Sequence, residues 1–178
     1  MTTCWPASRR ISRFGPKPEC QSTLPLGAMR KPVKKKLIGS TDRIDLPELK
    51  LQDVACKIDT GAATSTLHCR EIWLEEEEGE KVLCFNLYEP QFQIYSKENY
   101  CFSQFRLRKV RSSNGMMEQR YSIHTVVHLM NRKIRTEFTL SSREKMRFPI
   151  LLGKRFLKNR FVVDVSLDHL NYDLKYRQ

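Results

Sequence analysis

No apolar run in this 178-residue chain approaches the roughly 20 residues that a membrane-spanning helix needs, so the sequence predicts a soluble protein with no membrane partner. The six cysteines (Cys4, Cys20, Cys56, Cys69, Cys84, Cys101) form no C-x-x-C pair, and no secretory apolar stretch precedes them. Both absences argue against a disulfide framework and for reduced thiols in a cytoplasmic compartment. An RNP-type aromatic motif, zinc-finger spacing and a clear helix-turn-helix are also missing. The net charge of +12 therefore reads as a basic surface and not as a dedicated nucleic-acid site. Much of it is local, in Arg30, Lys31, Lys34, Lys35 and Lys36, and again in Arg106, Arg108, Lys109 and Arg111. A phosphate loop G-x-x-x-x-G-K-[ST] is absent too: Gly153-Lys154 lacks the earlier glycine and follows an apolar run. No internal repeat is present.

What remains suits one domain, since a chain this long buries roughly 70% of its extended surface. Residues 1–30 stand apart as an N-terminal extension. They are rich in Ser, Arg and Pro, with neither strand nor helix period. A disordered tail, a transit-like leader and an unused upstream start codon all fit, and Met29 would make a natural start. Residues 31–178 are the expected folded domain, and its pattern is mainly β. Strands are predicted near 37–39, 53–58, 81–87, 105–111, 121–130, 134–140, 148–152 and 161–164, with one short helix over 154–159. Asn114-Gly115 lies between two of these runs and is a hairpin signal, because both residues tolerate φ > 0. The acidic run Glu75–Glu78 reads as a solvated loop edge, and Asn131-Arg132-Lys133 as a turn.

The sharpest local feature is Cys56-Lys57-Ile58-Asp59-Thr60-Gly61-Ala62-Ala63, an apolar strand delivering an Asp into a turn of small residues. Aspartic proteolysis needs such a rigid carboxylate at a strand end. Gly61 would let backbone approach backbone, and the Thr60 hydroxyl would anchor the loop. The bland alternative is that Asp59 merely caps a turn. A second feature, Ile150-Leu151-Leu152-Gly153-Lys154-Arg155-Phe156-Leu157, is an apolar run, a glycine and a short helix.

In that order, with the N-G hairpin between them, the two motifs resemble retropepsins, viral-type peptidases with one Asp-Thr-Gly per subunit. The resemblance implies a closed β-barrel of the acid-protease type with one short C-terminal helix. It implies Asp59, Thr60 and Gly61 as the catalytic loop and Ser112, Ser113, Asn114 and Gly115 as a flap over substrate. Leu151, Leu152 and Gly153 would support the loop from below. Lys57–Ala62, Val110–Gly115 with Glu118–Tyr121, and Met146–Phe148 through Leu151–Lys154 are similar to one bacterial family in particular. That family is often labelled an ATP-dependent zinc protease and is associated with ATP-grasp ligases that add glutamate to protein tails. The similarity runs roughly from Lys35 to Tyr172. Many members carry a basic residue where this chain has Ala63, so substrate preference is open.

The zinc label disagrees with the residues. His124-Thr125-Val126-Val127-His128 lacks the Glu of H-E-x-x-H and lies in a β-branched run. On a strand the two histidines would stand about 13 Å apart, too far to share one ion. No metal and no cofactor are expected. Cys56 and Cys69 flank the Asp loop without an evident His base, which argues against a thiol peptidase. One Asp-Thr-Gly cannot supply two carboxylates, and Phe161-Val162-Val163-Asp164 does not reproduce it, so a two-fold homodimer is expected. The expected function is hydrolysis of peptide bonds in a peptide or protein substrate, acidic or glutamate-rich if the ligase association holds. The alternatives are a catalytically silent peptide-binding module of the same fold and a zinc-dependent peptidase.

Overall fold

The computed structural model describes residues 34–87, 98–111, 115–142 and 147–177. The N-terminal extension expected over 1–30 lies outside them, as do Ser112, Ser113 and Asn114 of the expected flap.

Alternating burial builds the barrel. Along β2 (Thr41–Leu46), Asp42, Ile44 and Leu46 point inward. Leu51, Val54, Cys56 and Ile58 do so along β3 (Leu51–Ile58). The odd spacing from Leu51 to Val54 is absorbed by a bulge, where Asp53 takes φ 50° and the register against β2 shifts between Ile44 and Leu46. Between these strands Pro47–Leu49 makes a single 3-10 turn. β4 (Ser65–His68), β9 (Met117–Leu129), β10 (Arg132–Ser141) and β11 (Ile150–Leu152) complete the set.

Their order around the sheet is β10-β4-β11-β3-β2-β9, and β9 pairs again with β10, closing a six-stranded barrel. β8 (Phe105–Arg111) extends the sheet outward from β9. β5 (Glu71–Glu77), β6 (Glu80–Asn86) and β7 (Asn99–Phe102) form a separate antiparallel meander. β1 (Lys36–Ile38) pairs in parallel with β12 (Phe161–Val163). The interior holds Ile44, Leu67, Ile123, Phe138, Ile150 and Phe156, each fully buried. Phe85 of the meander stacks on Tyr100 and Phe102.

Several elements differ from the sequence expectation. Glu75–Glu77 belong to β5 and are not a loop edge. Their side chains are exposed, so charge is compatible with a strand, and the turn falls on Glu78 and Gly79, both at positive φ. Where a single helix was expected, the described residues hold two α-helices. α1 (Lys154–Leu157) is where the sequence put it, and α2 (Leu170–Tyr176) follows. α2 has no buried residue and so no apolar stripe to read. It is held by Asp42, whose buried carboxylate accepts the N–H groups of Asn171 and Tyr172 at 2.8 and 3.2 Å.

The cysteines need a correction as well. Cys84 and Cys101 form a disulfide. Adjacent strands place them directly opposite one another with Cα atoms 4.2 Å apart, and a spacing of 17 residues carries no sequence signal for that. Cys56 and Cys69 are free and buried, and burial pushes both thiols far up.

Candidate active site

β11 reaches the interior between β3 and β4. It runs parallel to β3, with Leu152 beside Ile58, and antiparallel to β4, with Leu151 beside Thr66. A three-residue apolar strand suits that place, since both its neighbours are sheet. The loop 59–64 leaves β3 and returns as β4, so it must pass over the end of β11. Four bonds fix it there. Asp59 N–H donates to Leu152 O at 2.9 Å, and Lys154 N–H to Ala62 O at 2.8 Å. Arg155 N–H donates to Ala63 O at 3.1 Å, and Gly153 N–H to Ser65 Oγ at 3.1 Å.

Asp59 Oδ1 accepts the N–H groups of Gly61 and Ala62 at 2.9 and 3.0 Å, an Asx-type turn that fixes the carboxylate on its own loop. Among the described residues no hydrogen bond engages Oδ2. Asp59 is half-buried and borders a hollow of about 220 Å3 lined with Lys57, Arg147, Phe148 and Leu151. Two cationic side chains thus stand around the carboxylate. Such a site can hold one carboxylate in a fixed orientation at the edge of a hollow that also carries two cationic residues.

Gly61 has a role different from the one expected. A Cβ on Gly61 would meet only Asp59 Oδ1, at 3.2 Å, so Gly61 makes room for the carboxylate and not for another backbone. The close backbone approach is at Gly153, where a Cβ would lie 2.6 Å from Thr64 C and 2.7 Å from Thr64 O. Thr60 is exposed, and its hydroxyl makes no hydrogen bond within the described residues. Gly115, just before β9, has φ +84°. His124 and His128 lie on β9, as the β-branched run implied, and not on a helix.

Sequence reasoning missed Glu137 of β10. Burial pushes its carboxyl up, but bonds from Arg108 at 2.7 Å and Ser122 at 2.9 Å, with His124 nearby, hold it below the usual range. Arg155, whose N–H braces the Asp59 loop, reaches the other Glu137 oxygen at 3.4 Å. Only strand pairing brings these residues together, so no local signal could have shown them.

A closed six-stranded barrel, with an Asp-Thr-Gly turn resting on an apolar-apolar-Gly strand, defines a retropepsin-like protein. Residues 37–172 match the RimB-like family, described as retropepsin-like aspartic endopeptidase RimB, and the chain belongs to it. Similar curated proteins carry the name "Probable alpha-L-glutamate ligase". That of Desulfotalea psychrophila is 29% identical over 78% of this chain and 30% of its own length. That of Shewanella halifaxensis is 33% identical over 73% and 28%, and that of Parasynechococcus marenigrum 30% identical over 82% and 31%. The chain thus spans less than a third of the length of these relatives. Among solved structures, protein Lpg0085 of unknown function (DUF785) from Legionella pneumophila superposes with a TM-score of 0.58 at 21% identity. The match covers 78% of this chain and 99% of that one, a likeness of fold.

Proposed function

We propose that two copies of this chain form an aspartic endopeptidase, each contributing Asp59 to one pair of carboxylates. The observation that carries this reading is the Asp59 loop: a half-exposed carboxylate, tied to two N–H groups of its own turn, on a brace built from β11 and Gly153. Two such carboxylates about 3 Å apart cannot both ionise, so the pair shares one proton. The ionised partner takes a proton from a water, whose oxygen attacks the peptide carbonyl carbon. The protonated partner gives its proton to the carbonyl oxygen. Collapse of the tetrahedral species, with a proton delivered to the amide nitrogen, breaks the C–N bond. In this reading the β8–β9 connection, which carries the expected flap residues Ser112, Ser113, Asn114 and Gly115, covers bound peptide and limits water. Leu151, Leu152 and Gly153 keep the loop in place.

The substrate in this reading is an acidic, glutamate-rich peptide. Lys57 and Arg147 beside Asp59 favour carboxylate side chains, and the ligase names of the relatives point to glutamate chemistry and to a ligase as partner. Among the described residues no helix is long and apolar enough to cross a membrane.

The test is cleavage of a peptide library that includes glutamate-rich members, by wild type beside Asp59→Asn, from acidic to neutral pH and with a chelator present. Cleavage that disappears in the variant and survives the chelator supports the mechanism. Equal cleavage by both proteins refutes Asp59 as the catalyst. The dimer is tested by specific activity, which should fall on dilution as the protein becomes monomeric in sedimentation.

A further inference from the structure

The meander β5-β6-β7 carries a cluster that the Asp59 site does not use. Register sets Trp73 beside Cys84 and Cys84 beside Cys101, a single row across three strands. Glu75 lies two residues along β5 and therefore on the same face. The Trp73 indole N–H donates to Glu75 Oε1 at 2.6 Å and so orients the carboxylate. Its other oxygen, Oε2, is 3.6 Å from Cys84 Sγ. One donor atom from each of Glu75, Cys84 and Cys101 lies within 4.8 Å of the others.

As a disulfide the arrangement is incomplete. Cys84 Sγ has no proton to give, so a carboxylate oxygen is turned towards a sulfur it cannot hydrogen-bond. A cation between them would turn that contact into an attraction. The surroundings favour one. Glu77, Glu78 and Glu80 border an adjacent hollow of about 610 Å3, a concentration of negative charge on a chain whose net charge is +12. Cys101 is exposed, which opens the cluster both to a reductant and to an ion.

We propose that Glu75, Cys84 and Cys101 form a redox-gated site for a thiophilic divalent cation of the Zn2+ class. A dithiol reductant supplies two electrons and two protons to the Cys84–Cys101 bond. That S–S bond breaks, two thiols form, and the dithiol closes to its own disulfide. Cation entry then displaces both thiol protons to solvent, two metal–sulfur bonds and one metal–oxygen bond form, and water completes the tetrahedron. Zinc–sulfur bonds of about 2.3 Å place the sulfurs roughly 3.8 Å apart. Side-chain rotation reaches this, because the two Cα atoms face each other across adjacent strands at 4.2 Å. Thiolates select Zn2+ over Mg2+ or Ca2+, which prefer oxygen. Trp73 is the positioning residue, holding Glu75 as outer-shell groups hold metal-bound carboxylates.

The test is titration of the full chain with Co2+ after a phosphine reductant has been used and removed. The expected result is about one ion per chain and a near-ultraviolet thiolate-to-cobalt band that Zn2+ abolishes. The oxidised wild type should show no band, a comparison that needs no variant. Cys101→Ser should lose the band while far-ultraviolet dichroism keeps its strand signal. Glu75→Gln should weaken Co2+ at least tenfold, in line with the about 10–100-fold cost of disturbing a metal-site shell. Absence of the band in reduced wild type overturns the site. So does a band of equal strength in Cys101→Ser, which would belong to other thiols. Unchanged affinity in Glu75→Gln overturns the assigned ligand set.

Discussion

Gly153→Ala tests most directly how the Asp59 loop is held. Gly153 has φ −87°, a conformation open to any residue, so backbone freedom does not explain the glycine. Space does. The new methyl carbon would sit 2.6 Å from Thr64 C, 2.7 Å from Thr64 O and 3.1 Å from Ala62 O, and all three are backbone atoms that cannot swing away. Overpacking of this kind costs about 1–3 kcal/mol. If β11 and the loop move apart to relieve it, the bonds Lys154 N–Ala62 O and Arg155 N–Ala63 O lengthen, adding about 0.5–1.5 kcal/mol each. A combined loss of about 2–6 kcal/mol corresponds to a melting temperature lower by roughly 4–24 °C for a protein of this size. Gly79→Ala is the control. Gly79 has φ +83° and no atom within 4 Å of its would-be Cβ, so only backbone strain of about 1–2 kcal/mol is expected. Thermal unfolding of the three proteins, followed by circular dichroism, decides the matter. A Gly153→Ala protein that melts with wild type, or a Gly79→Ala protein that is hurt more, would refute the close-approach argument whatever the catalytic activity.

Glu137 predicts a pH effect. Its folded carboxyl titrates below the unfolded value of about 4.3. Its contribution is therefore complete above that value and is lost as pH falls through the lower folded one. Glu137→Gln should flatten the acid side of the stability–pH curve and cost about 1.5–3 kcal/mol at neutral pH, the usual worth of hydrogen bonds to a charged group. Denaturant midpoints at several pH values measure both, and an unchanged acid slope counts against the network. Reduction of Cys84–Cys101 without added metal releases a loop of 17-residue separation and should destabilise the chain by roughly 3 kcal/mol. Equal urea midpoints with and without a phosphine reductant would contradict the bridge.

Much of the barrel was legible because its signals are local. β3, β9 and β10 alternate apolar with polar residues, the period a half-buried strand imposes, whereas β6 carries the continuous apolar run Val82–Phe85, buried throughout. Gly153 between an apolar run and a short helix announced a strand end. Asp59-Thr60-Gly61 announced a carboxylate in a tight turn, and its own side chain closes that turn. The strand at Glu75–Glu77 was hidden because exposed charge on a meander resembles a loop. α2 was hidden because nothing on it is buried.

By itself, then, the sequence determined most of the local conformations and the family, since each depends on side chains adjacent along the chain. Which strands meet was decided only in three dimensions. β11 sits beside β3 across some ninety residues, Glu137 gathers Arg108, Ser122 and Arg155 from three other elements, and Cys84 faces Cys101 through the register of β6 and β7. The reason is physical. Pairing between distant strands follows from closing one barrel around one apolar interior, and that constraint acts on the whole chain at once.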